Sequence, residues 1–159
     1  DVRKAAYWAV FSGAMGHTYG HHCIWSMRTE VEPYFVMTWK TALLRPGAEQ
    51  MKHVKALMES KPFAGRVPDQ ELIAENYEGA NHLRAIRGDD YAFIYSPSGL
   101  NIKVNMGKIT GDSVAAQWYD PRTGEYSFIG IYENQGTVDF LPPTAGRGED
   151  WVLVLTDKQ

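Results

Sequence analysis

Three histidines, a tyrosine and a tryptophan fall between residues 17 and 25, in the stretch GHTYGHHCIW. His17, Tyr19 and His21 alternate, so an extended strand would point all three the same way. Gly13, Gly16 and Gly20 permit tight turns or close backbone approach. His22 and Trp25 follow at once. A tryptophan beside imidazoles that can donate to hydroxyls suits a sugar ring, which has apolar C–H faces and polar edges. At the C-terminal end of a barrel strand, such a group would lie on the face where barrels keep their active sites. A plainer reading makes His17 and Tyr19 core-edge residues satisfied by hydrogen bonds, with Gly20 only bending the chain. The residues alone leave both readings open.

Other chemistries fit this stretch less well. His17, His21 and His22 could offer imidazole nitrogens to a metal and Cys23 a thiolate, but adjacent side chains on a strand point apart and no carboxylate is close in sequence. No metal or other cofactor is expected. As a nucleophile Cys23 lacks a specified base and oxyanion hole; beside Ile24 and Trp25 it reads as buried and inert. Glycosidic hydrolysis needs two carboxyls, about 5 Å apart for retention or wider for inversion. Only Glu30 and Glu32 are near the cluster, and their TEVEP run reads as solvated loop. No catalytic residue is therefore assigned within the chain.

A second candidate is QWYDPRTGEY, where Trp118 and Tyr119 meet a turn and could present an aromatic ring to a ligand. The same residues describe a packed strand with Trp118 and Asp120 on one face and Tyr119 on the other. The RGD tripeptide at Arg87–Asp89 sits where a hairpin should turn and is too short to argue for adhesion. Asp112 and Asp120 lack the closely spaced oxygen ligands that calcium needs.

The elements that must position these residues differ along the chain. Residues 2–12 place Val2, Ala6, Ala9 and Val10 on one helical stripe, with Asp1 to cap the start and Gly13 to end it. AMGHTYG then reads as a short buried strand. A second helical region, TWKTALLRPGAEQMKHVKALMES, breaks at Pro46-Gly47 and resumes with Met51, Val54 and Met58 at helical spacing. Trp8 and Trp39 read as helix packing, and PFAGRVP as a connector. From residue 69 onward, eight short runs rich in β-branched and aromatic residues are separated by turn signals such as Gly88-Asp89 and Asp120-Pro121-Arg122-Thr123-Gly124. They predict an antiparallel β-sandwich. One strand in residues 1–61 has nothing to pair with, so this part looks like the end of a larger α/β domain, exposing apolar surface or borrowing strands from another chain.

Composition narrows the partners. With 44% hydrophobic and 22% charged residues the chain is globular material. A net charge of -3 with scattered Lys and Arg argues against nucleic acid. No apolar run approaches the roughly 20 residues that span a membrane, so no membrane insertion is expected. The start DVRK, without a leader, reads as a mature piece, an expressed portion or a fragment cut from something longer. The lone Cys23 excludes an internal disulfide and leaves the compartment open.

DVRKAAYWAVFSGAMGHTYGHHCIWSM, then RPGAEQMKHVKALMESKPFAGRVPDQELI, then AAQWYDPRTGEY resemble, in that order, the C-terminal part of the apiosidase-like glycoside hydrolases. These are bacterial proteins in which a (β/α)8 barrel precedes a β-sandwich labelled a collagen-binding domain of a collagenase. The resemblance covers nearly the whole chain. It implies an α+β chain: a C-terminal remnant of a TIM barrel over residues 1–66, then an antiparallel β-sandwich over residues 67–159. Residues 1–12 would be the seventh barrel helix, GHTYG the eighth strand, and the helices through Ser60 the rest of the wall. His17, Tyr19, His21, His22 and Trp25 would lie at or near the sugar-binding end.

The resemblance further implies carbohydrate as the ligand and catalytic carboxylates upstream of Asp1. The chain alone would then be inactive. It would need the missing N-terminal barrel portion, or another chain, over its exposed barrel edge. A secreted, periplasmic or cell-surface place in a bacterium follows from the family alone. The alternative is a non-catalytic carbohydrate- or matrix-binding accessory module using Trp118 and Tyr119; a sandwich fold by itself carries no function, and burial of both rings would count against that reading.

Overall fold

The computed structural model describes residues 2–158, so the expected cap at Asp1 lies outside the described residues. Four helices come first: α1 (Val2–Phe11), α2 (His22–Trp25), α3 (Trp39–Leu43) and α4 (Pro46–Glu59). Gly13 ends the α1 region in the left-handed conformation at φ 93°, its N–H donating to the Val10 carbonyl. Pro46 opens α4 at a position where no intrahelical N–H is needed.

Strands follow from residue 67: β1 (Val67–Pro68), β2 (Ile73–Glu75), β3 (Arg84–Arg87), β4 (Tyr91–Ser96), β5 (Ile102–Asn105), β6 (Ser113–Tyr119), β7 (Tyr126–Glu133), β8 (Thr137–Phe140) and β9 (Trp151–Asp157). Each of the eight expected runs contains one. They form a six-stranded sheet, β1-β3-β4-β9-β6-β7, and a three-stranded sheet, β2-β5-β8. Every pairing is antiparallel.

The large sheet is covered on both faces. Ala85, Ile94, Val114, Trp118 and Leu153 pack against Ile102, Val104 and Phe140 of the small sheet. On the reverse face Ile86, Phe93, Tyr95, Tyr119 and Val154 pack against Ala6, Tyr7, Val10 and Phe11 of α1 and Val54 and Leu57 of α4. The product is three layers: helices, large sheet, small sheet. Double coverage explains why YAFIYS and WVLVL are buried throughout instead of alternating. Polar ties cross the helix–sheet boundary, since Trp8 Nε1 donates to the His82 carbonyl at 2.9 Å and the Tyr119 hydroxyl to the His53 carbonyl at 2.7 Å.

Two expectations change. AMGHTYG forms no strand, because every strand among the described residues pairs within the two sheets and an extended segment without a neighbour leaves its peptide groups to other partners. The architecture is therefore α+β with antiparallel sheets, and the eighth barrel strand expected at GHTYG is not formed. The RGD tripeptide is structural: Arg87 Nε donates to Asp69 Oδ2 at 2.7 Å, and a Cβ on Gly88 would lie 2.3 Å from the Tyr91 ring.

Candidate functional site

Residues 14–21 lead from α1 to α2 without regular structure, and the alternating residues acquire different surroundings. His17 is exposed and borders a groove of about 860 Å3 between α1 and α4, lined also by Val10, Met15, Met51, Met58 and Phe63. Tyr19 is half-buried with its ring against Gly47 in the first turn of α4, where a Cβ would lie 3.4 Å away. His21 is the N-cap of α2; its Nδ1 accepts from the Cys23 N–H at 3.3 Å. The three do not share one face.

His22 and Trp25 do come together. Their rings stand at 90° with centroids 4.7 Å apart. The other contacts of His22 come from a part of the chain the motif did not indicate. Its imidazole lies flat on Phe35 at 4.7 Å and 15°, and Tyr34 stands at 89° to it at 5.0 Å. Phe35 is buried with Cys23 and Ala42, and the Arg28 guanidinium covers it at 4.2 Å. Trp25 and Tyr34 remain 70% and 75% exposed, so two large rings that burial would favour are held in solvent on a packed base. Among the described residues no protein group hydrogen-bonds a ring nitrogen of His22.

The turn after α2 builds this arrangement. Met27 N–H donates to the Ile24 carbonyl at 2.9 Å and Arg28 N–H to the Cys23 carbonyl at 3.2 Å, the paired bonds of a Schellman motif. Met27 occupies the left-handed position at φ 51°, where glycine is the usual residue. The turn reverses the chain so that Arg28 reaches Phe35. No glycine or asparagine announced it.

The remaining candidates stand apart. Glu30 and Glu32 are exposed, and Glu32 meets Arg28 at 3.4 Å. Cys23 is buried. Among the described residues no three His, Cys, Asp or Glu side chains converge as metal ligands would. Trp118 lies between the two sheets, edge-on to Trp151, while Tyr119 points to the helix layer; they are 5% and 1% exposed. Both rings pack the core and neither is offered to a ligand.

The turn following them is a brace. Arg122 donates to both oxygens of Asp120, at 2.8 and 3.0 Å, pairs with Glu149 and lies 4.8 Å over the Trp151 ring. Gly124 has φ 79°, and a Cβ there would sit 2.3 Å from His53 Nδ1 on α4. Burial pushes the Tyr119 hydroxyl above its ordinary range, and the Tyr95 hydroxyl likewise, with Asp150 adding to the rise.

Residues 1–65 match the family model described as "Apiosidase-like, catalytic domain", and residues 67–156 match the "Putative collagen-binding domain of a collagenase". Residues 67–156, more than half of the chain, belong to the collagen-binding-domain family, and residues 1–65 are apiosidase-like. A solved structure titled a glycoside hydrolase is 39% identical with a TM-score of 0.93, over 99% of this chain and 36% of its own. A glycoside hydrolase family 5 protein from Bacteroides vulgatus is 37% identical with a TM-score of 0.91, over 98% of this chain and 35% of its own. The chain thus spans about a third of the length of these relatives. No match is found among curated proteins.

Proposed function

We propose that this apiosidase-like chain is the C-terminal portion of a glycoside hydrolase acting on polysaccharide or glycan side chains. It contributes a sugar-contacting surface, and the catalytic carboxylates come from the rest of the catalytic domain. The observation that carries this reading is the exposed Trp25 ring fixed at right angles to His22. Trp25 offers an apolar face to sugar C–H groups, and His22 has ring nitrogens available for hydroxyls. His17, Tyr19 and His21 stand along the approach to α2, with His21 holding the helix start in place.

The distribution of apolar surface supports a partner over the first part. Met15, Met27, Val31, Val36 and Leu44 are each at least 60% exposed, and Met15 also lines the groove between α1 and α4. Such a surface suits the missing N-terminal barrel portion, or another chain, packed over residues 1–66, with the sandwich of residues 67–159 bracing the helices from behind. A polysaccharide substrate places the protein outside the cytoplasm, secreted, periplasmic or at the cell surface of a bacterium. The accessory-module reading rested on Trp118 and Tyr119, and their burial removes its support.

The test is hydrolysis of a glycan panel by the chain alone and with the remainder of an apiosidase-like catalytic domain supplied in trans. Release of sugar only in the combined sample is expected. Hydrolysis by the chain alone, or none in either sample, would count against the proposal.

A further inference from the structure

We infer that Tyr34 is the second wall of the sugar-contacting surface, and that with Trp25 and His22 it forms a subsite for an uncharged sugar ring. This rests on the carbohydrate reading of Trp25. Three observations carry it. Tyr34 is 75% exposed, yet its ring is fixed by two edge contacts, at 5.0 Å to His22 and 5.1 Å to Phe35, both near perpendicular. Trp25 and Tyr34 therefore touch the same imidazole, each at a right angle to its plane. Two aromatic surfaces flanking one polar ring give a sugar both C–H contacts and a hydroxyl partner.

The base is rigid, which limits the ordering cost of binding. His22 stacks on Phe35, Phe35 is packed against Cys23 and Ala42, and the Trp39 N–H ties the loop back to the Arg28 carbonyl at 2.7 Å. Met27 holds a left-handed conformation that a β-carbon disfavours, a local cost borne where the turn sets Trp25 against the Tyr34 loop. Charge selects the ligand class. In this loop the cation Arg28 is committed to the Phe35 face and to Glu32. The Arg28–Glu32 pair balances its own charge, so a neutral ring needs no counter-ion from this surface.

The experiment is calorimetric titration of the chain with cellohexaose, xylohexaose and hexagalacturonate, using the natural sequence, Trp25→Ala, Tyr34→Ala and Tyr34→Phe. A neutral oligosaccharide should bind. Tyr34→Ala should weaken it about tenfold, the scale of one aromatic contact, and Tyr34→Phe should retain most of the affinity. Hexagalacturonate should bind at least about tenfold more weakly than the best neutral ligand. Thermal unfolding should be unchanged in each variant, because both rings are exposed. If the natural chain binds none of the three, the carbohydrate reading falls and this inference with it. If Trp25→Ala abolishes binding while Tyr34→Ala leaves it intact, only the role of Tyr34 is overturned. Preference for hexagalacturonate would overturn the assignment to uncharged sugars.

Discussion

Arg3 in the first turn of α1 and Asp150 just ahead of β9 form a buried ion pair that joins the helix layer to the large sheet. Arg3 Nε lies 2.9 Å from Asp150 Oδ2, the same oxygen accepts from the Tyr95 hydroxyl at 2.9 Å, and Gln50 on α4 accepts from Arg3 Nη1 at 2.6 Å. The Asp150 side chain is only 3% exposed. Removing Arg3 leaves a buried carboxylate with the Tyr95 hydroxyl as its remaining side-chain partner among the described residues. Arg3→Met is expected to lower unfolding free energy by about 3 kcal/mol, read from the urea midpoint at constant m.

Gly124 is the contact point between the sandwich turn and α4. Gly124→Ala would place a methyl against His53 in a left-handed backbone position, and is expected to cost about 2 kcal/mol. If the clash is the cause, the same substitution made in a His53→Ala background should cost measurably less in the same urea assay.

Tyr7 offers a change in the opposite direction. Among the described residues its buried hydroxyl has no hydrogen bond of normal geometry, only a side-chain interaction with Tyr119, while its ring stacks on Tyr95 at 4.9 Å. Tyr7→Phe keeps the ring and removes the unsatisfied group, so stability should be unchanged or rise by up to about 1 kcal/mol, visible as a higher urea midpoint.

His53 gives the helix–sandwich contact a pH dependence. Burial, followed by the neighbouring Lys52, holds its imidazole below the ordinary histidine range. A group whose folded pKa is depressed takes up its proton more readily in the unfolded chain, so its contribution is present above about pH 6.5 and fades as pH falls through the folded value. Unfolding midpoints measured from pH 7.5 to about 5 should decline less steeply for His53→Gln than for the natural chain.

The sandwich was legible because each run of β-branched and aromatic residues ends in its own turn signal. Even the split of Trp118 and Tyr119 to opposite faces follows from the two-residue period, although period alone could not say that both faces would be covered. The GHTYG strand was not realised because pairing depends on neighbours, and alternation supplies none. Tyr34 and Phe35 were missed for a related reason. Their contact with His22 depends on a chain reversal at Met27, and a methionine in a left-handed turn leaves no mark in the sequence.

The most direct test of the account uses the tryptophan indoles as reporters. The five are Trp8, Trp25, Trp39, Trp118 and Trp151. Titration of the labelled chain with a neutral oligosaccharide, followed by NMR of the indole N–H signals, should move Trp25 while Trp118 and Trp151, between the sheets, stay fixed. If Trp25 does not move, or if only the sandwich indoles respond, the sugar-contacting surface is not where the account places it.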